Sequence, residues 1–343
     1  MALHAHEFNS VQLAGQRLMV GFEGREANAD LVFLIQSLRV GGIVLFSRNI
    51  GSPEQLRGLC SASQELARAC GQPSLFVAVD QEGGSVARLR KPFTEFPGNP
   101  AIQSEADALK FARITATELK SVGINMNLAP VLDVAPREID SVMAQRSFGA
   151  DPRQVARLGG CVIDGLQANG VLAVAKHFPG IGRTTLDSHL ERPLLNEGLA
   201  ALRQADLLPF ADGIRRGVCG VMLAHILYPR LDADWPASLS SKIAGDLLRK
   251  RMGFKGLALT DDLEMGAIAR HYDMPTVADR ILAADIDLGL VCRQRALVEQ
   301  TFERLHNRIE QSRDIRSAAV ASAARILRVK RQRLTAAAGS AGP

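Results

Sequence analysis

Apolar residues in this chain fall in short, nearly unbroken runs, separated by longer stretches in which they recur every third or fourth position. The runs are "RLMVGF" (17–22), "GIVLF" (42–46), "LFVAV" (75–79), "INMNLAPVLDV" (124–134), "VLAVA" (171–175), "CGVMLA" (219–224), "GLALT" (256–260) and "DLGLVC" (287–292). A run that is apolar at successive positions predicts a strand covered on both faces, as in a parallel sheet flanked by helices. The intervening segments, such as "NADLVFLIQSL" and "ADALKFARITATELKSV", have the spacing of amphipathic helices. Eight strands, each followed by helical material, is the count of a single-domain (β/α)8 barrel in the α/β class. A doubly wound open sheet is the alternative, but the first strand–turn–helix lacks the GxGxxG of a dinucleotide site.

A barrel of this kind carries its chemistry just after the strands, on the C-terminal face. Arg48 and Asn49 follow the second run; Asp80, Gln81 and Glu82 follow the third, and Asp133 closes the fourth. Lys176 and His177 follow the fifth, His225 the sixth, Asp261 and Asp262 the seventh. Each has a plain reading beside the chemical one. Asp261 and Glu264 have the spacing of a helix capping box, and spacing alone does not choose between Asp261 and Asp262. Asp187 and His189 stand two apart, so in an extended segment they project to one side, where the carboxylate would orient the imidazole as an acid/base. A loop turn explains that pair equally well. Lys176 and His177 end a buried run with two ionisable groups, which is costly unless they bind something. Asp80 and Arg88, flanking "QEGGSVA", offer groups for the hydroxyls of a polar ligand, and Arg146 adds a cation. His225 reads either as a site residue or as a satisfied core histidine.

Composition sets outer limits. The chain has 343 residues, 47% hydrophobic and 22% charged, enough for a large core. No apolar stretch is long enough to span a membrane and the start lacks the order of a secretory signal. The five cysteines are scattered, without a CxxC pair, which points to a reducing compartment, so a cytoplasmic location is expected. The net charge of +5 is concentrated from Arg313 onward, where seven Lys/Arg meet one Asp. No aromatic interleaving accompanies it, so neither nucleic acid nor membrane is an expected partner. The expected organisation is a catalytic barrel over 1–312, then a basic helix and disordered tail over 313–343, in a monomer.

Seven motifs in order, "GGIVLFSRN", "VAVDQEGGSVARLR", "NLAPVLDV", "QRSFGADP", "KHFPGIGRTTLDSH", "MLAHILYP" and "LTDDLEM", resemble glycoside hydrolase family 3. They are most similar to its single-domain β-N-acetylglucosaminidases of bacterial peptidoglycan recycling. The resemblance runs from about residue 15 to 295 and implies a (β/α)8 barrel. It implies that Asp261 is the nucleophile of a retaining exo-hydrolase, and that His189, polarised by Asp187 on a flexible loop, is the general acid/base. It further implies that Asp80, Arg88, Arg146, Lys176 and His177 bind the non-reducing-end sugar of a small carbohydrate or muropeptide. The implied substrate is GlcNAc linked to anhydroMurNAc or its peptides, with no metal or organic cofactor. Two positions depart from the pattern: Ile181 stands where His is usual, and Ser85 where Arg is frequent.

Rival readings stay open at this level. A phosphorylase would intercept the same glycosyl-enzyme with phosphate. A metal-dependent barrel hydrolase would draw on His4, His6, His177, His225 and Asp261. A sugar-binding relative without activity is the third.

Overall fold

The computed structural model describes residues 3–186 and 193–334. Eight parallel strands close into a barrel in chain order. They are β1 (Leu18–Val20), β2 (Gly42–Leu45), β3 (Phe76–Val79), β4 (Met126–Asn127), β5 (Leu172–Phe178), β6 (Gly220–Leu223), β7 (Leu257–Asp262) and β8 (Leu288–Val291). Each apolar run contributes one strand, and the expected (β/α)8 barrel is the observed fold.

The unbroken apolar runs conceal an alternation that the barrel makes visible. Met19, Val44, Phe76, Ala78, Leu259 and Leu290 fill the barrel interior. Their neighbours Val20, Ile43, Leu45, Val77, Val79 and Val291 pack outward against the helices. Both faces are dry, so both sets must be apolar. The helices begin at side-chain caps: Ser52 accepts from Gln55 N before Pro53–Ala69, Ser104 from Asp107 N before Glu105–Ser121, and Asp151 from Arg153 N before Pro152–Ala168. Pro53 and Pro152 occupy the first helical position, where a missing N–H costs nothing.

Strand limits differ from the apolar runs in an informative way. β4 is cut to two residues ahead of Pro130, which has no N–H for the ladder. β5 and β7 instead run past their apolar parts: Lys176 pairs with Met222 and Asp262 with Leu290. Lys176, His177, Asp261 and Asp262 therefore sit inside the strand ends rather than after them, where the ladder shifts register.

The opposite mouth of the barrel is covered by the helix Arg313–Leu334. Its Ile326 and Val329 join the interior cluster. Lys330, 3% exposed, donates to Gly41 O at 2.8 Å and Gln16 Oε1 at 2.9 Å, with Nζ 4.8 Å from the Phe76 ring centroid. Burial without a carboxylate lowers its ammonium to about 7. Arg328, Arg331 and Arg333 keep their exposed positions on the same helix. Among the described residues no helix is long and apolar enough to cross a membrane.

Candidate active site

A cavity of about 480 Å³ opens where the strands end. Asp80, Arg88, Arg146, Lys176, His177 and Asp261 all line it, five of them from β-strand ends or the turn after β3 and Arg146 from the loop after β4. Phe46, Leu128, Met222 and Leu290 supply apolar wall between them.

Five charges form an alternating ladder along one side. Arg88 Nη2 lies 3.4 Å from Asp80 Oδ2, and Lys176 Nζ lies 2.7 Å from Asp80 Oδ1 and 2.6 Å from Glu82 Oε1. Glu82 then takes both arms of the Arg146 fork, at 2.7 and 2.9 Å. The inner pair is the most buried, with side-chain exposure of 3% for Lys176 and 2% for Glu82. Burial would raise the Asp80 carboxyl, but Lys176 and Arg88 outweigh it and hold it at about 2. Burial likewise works against the Lys176 ammonium, and Asp80 and Glu82 reverse the sign, leaving it raised. The ladder is thus fully charged at neutral pH, a fixed array of donors and acceptors suited to hydroxyl groups.

The turn that brings Arg88 back onto Asp80 is local. Gln81–Gly83 and Val86–Ala87 pair antiparallel, and Gly83 and Gly84 bridge them at φ of 88° and 60°, where a side chain would be strained. Gln81 anchors the hairpin by accepting from Arg88 N and Leu89 N. Next along the cavity wall, His177 Nδ1 lies 2.7 Å from Asp133 Oδ2, and Asp133 Oδ1 accepts from the main chain of Ile181 at 2.8 Å. A carboxylate accepts, so Nδ1 carries the proton and Nε2 is the atom offered to a ligand.

The two aspartates of β7 differ. Asp262 N donates to Asp261 Oδ1 at 2.8 Å. Burial would raise the Asp261 carboxyl, and His177, His225 and Lys176 together leave it lowered. Asp262 is pushed up to about 7 by burial, with Glu264 and Asp261 adding to the rise. Its Oδ1 accepts from Glu264 N at 3.2 Å. The capping-box reading does not hold: the next helix, Gly266–Ala269, has no side-chain cap, and Glu264 instead accepts from Arg293 N and Gln294 N.

His225 is a satisfied, buried imidazole. Nε2 donates to the Asp262 carbonyl at 2.9 Å, which leaves Nδ1 to accept from Ser238 Oγ at 2.6 Å. Burial lowers its pKa despite the nearby Asp261 carboxylate, so it stays neutral and fixes the backbone of β7. Asn49 is similarly structural, donating to Phe22 O and Gly24 O. His4 and His6 lie against the C-terminal helix beside Val320 and Arg328, away from His177 and Asp261. Asp187 and His189 lie outside the described residues. Ile181 is buried and keeps its main-chain bond to Asp133, while Ser85 is exposed at the hairpin turn and does not line the cavity.

Sequence reasoning passed over Glu82 as a site residue, although it joins two of the proposed sugar-binding cations. A signal existed: Asp80 and Glu82 are two apart, hence on one side of an extended segment. The Asp133–His177 pair and Arg293 at the cavity edge had no comparable local signal, because their neighbours come from distant strands.

The glycosyl hydrolase family 3 N-terminal domain matches residues 10–329. A beta-hexosaminidase of Pseudomonas aeruginosa is 37% identical over 292 residues, 84% of this chain and 86% of that protein. The structure of a glycoside hydrolase family 3 beta-N-acetylglucosaminidase from Paenibacillus sp. str. FPU-7 superposes with a TM-score of 0.92 at 36% identity. That match covers 98% of this chain and 64% of the longer Paenibacillus chain. NagZ from Neisseria gonorrhoeae, in complex with N-trifluoroacetyl-D-glucosamine, aligns at 31% identity and a TM-score of 0.75, over 90% of this chain and 98% of that one. With its barrel matched end to end and its strand-end charges gathered in one cavity, the chain belongs to glycosyl hydrolase family 3.

Proposed function

We propose that this glycoside hydrolase is a retaining exo-β-N-acetylglucosaminidase, releasing terminal GlcNAc from peptidoglycan fragments such as GlcNAc-anhydroMurNAc and its peptides in the cytoplasm. The observation that carries the reading is the ionised Asp261 at the end of β7, in the same cavity as the Asp80–Lys176–Glu82 ladder. Relatives described as beta-hexosaminidases, and a neighbour bound to an N-acylated glucosamine, support the sugar class.

In the first step Asp261 attacks the anomeric carbon as the glycosidic bond breaks, while His189, oriented by Asp187, gives its proton to the leaving oxygen. His189 is then neutral. It does not repel the Asp261 ester or an incoming nucleophile as a second carboxylate would. In the second step it takes a proton from water, which attacks the glycosyl-Asp261 ester and frees the sugar with its original configuration. Asp80 and Lys176 hold hydroxyls, with Arg88, Arg146 and His177 completing the clamp. No step calls on a metal or organic cofactor.

Trapping with a 5-fluoro N-acetylglucosaminyl inactivator, followed by peptide mapping, tests this. Label on Asp261 is the expected result. Label on another residue, or inactive trapping in protein that still cleaves aryl glycosides, overturns the assignment.

A further inference from the structure

Four of the five Lys/Arg side chains that line the cavity are matched by carboxylates. Arg88 and Lys176 pair with Asp80, Lys176 and Arg146 with Glu82, and Arg48 with Glu23 at 2.9 Å. Arg293 is the fifth. Among the described residues its guanidinium has no partner, and the residue is exposed at the cavity edge. Its backbone, by contrast, is pinned from two sides. Glu264 accepts its N–H and that of Gln294, and Arg48 donates to the preceding Cys292 carbonyl. A fixed backbone that presents an unpaired guanidinium is a preorganised receptor for an anion, and the planar fork favours a carboxylate.

Its place in the barrel says which part of a ligand it meets. Asp80 follows β3 and Lys176 lies in the end of β5, on either side of β4, whereas β8 lies across the barrel from β4. Asp261 is on β7, next to β8. With sugar hydroxyls on the Asp80–Lys176 pair and the anomeric carbon at Asp261, Arg293 stands beyond that carbon, at the solvent-facing mouth. We propose that Arg293 is a specificity residue that recognises a carboxylate on the leaving-group side of the substrate. This inference rests on the glycosidase reading above and deepens it: the preferred substrate is an acidic aglycone.

The test compares two aryl β-N-acetylglucosaminides that differ only by a carboxylate or a carboxamide on the ring. The ratio of their kcat/KM values is read in wild type, Arg293→Gln, Arg293→Lys and Arg293→Glu. The ratio is expected to fall about tenfold in Arg293→Gln, to fall further in Arg293→Glu and to be only partly restored in Arg293→Lys, which keeps the charge without the fork. In wild type it should also shrink as salt rises. An unchanged ratio across the variants, or equal loss on both compounds, overturns the role of Arg293. A third compound, phosphorylated on the sugar with a neutral aglycone, checks the side. If it alone shows Arg293 dependence, the anion belongs on the sugar and the aglycone assignment falls. Wild type cleaving neither aryl glycoside overturns the glycosidase reading itself, and with it the inference built on it.

Discussion

Asp261 and Asp262 share a peptide bond, and at neutral pH their carboxyls hold different charge. The Asp261 carboxyl is lowered, since His177, Lys176 and the Asp262 N–H outweigh its burial, while Asp262 is pushed up to about 7 because burial and two neighbouring acids oppose its ionisation. At pH 7 Asp262 is about half protonated, so the adjacent pair carries less than two full negative charges. Adjacent side chains of one strand thus face different surroundings and hold their protons differently.

This difference has a stability consequence. Between about pH 4 and 7 the folded chain keeps a proton on Asp262 that the unfolded chain has released, so this group makes the protein less stable as pH rises through that window. Asp262→Asn removes the effect. The variant should gain on wild type from pH 4 to 8, by up to about 4 kcal/mol, in urea melts at several pH values. Parallel stability curves would rule the assignment out.

His189→Ala should separate leaving groups. Substrates whose aglycone needs a proton are expected to lose about a hundredfold or more in kcat/KM, and activated aryl glycosides far less. Asp187→Asn should follow the same pattern more weakly. Equal losses on both classes of substrate would make the pair structural.

Glu82→Gln keeps the shape of the side chain and removes the charge that Lys176 and Arg146 share. Lys176 then keeps only Asp80, which it shares with Arg88, and Arg146 loses its carboxylate partner. Unpairing a buried ion costs about 3–5 kcal/mol, to be read as a lower melting temperature together with a raised KM. A variant with unaltered KM and melting point would show that the ladder is not held through Glu82.

Lys330 tests the other end of the barrel. Between about pH 7 and 10 the folded chain has released a proton that the unfolded chain still binds, so wild-type stability should rise with pH there, by up to about 1.4 kcal/mol per unit. Lys330→Met should lack that rise. Denaturation at four or five pH values compares the slopes, and equal slopes would sink the prediction.

The barrel was legible because eight buried strands leave eight apolar runs, and because chemistry in this fold collects at strand ends. Family motifs then singled out Asp80, Arg88, Arg146, Lys176, His177 and Asp261, which one cavity brings together. Strand ends were less legible. Lys176 and Asp262 look like loop residues, since a polar side chain normally marks a strand's end, yet their backbones continue the ladder. Asp261 and Glu264 mimic a capping box although no helix starts there. Spacing cannot reveal that Glu264 serves a loop after β8, some thirty positions along the chain. The choice between a core and a catalytic role for His225 likewise needed Ser238 and the Asp262 carbonyl in place.

The helix Arg313–Leu334 gives the chain an order of completion. Phe76 belongs to the third strand, but the cover for its ring, Lys330 with Ile326 and Val329, comes from a helix made far later in synthesis. During synthesis the barrel floor stays open until that helix arrives, and a chain stopped near residue 312 would leave the interior wet from below. Synthesis through Leu334 thus becomes a condition for a closed core, and a product terminated before that helix would expose apolar surface that chaperones and proteases can recognise.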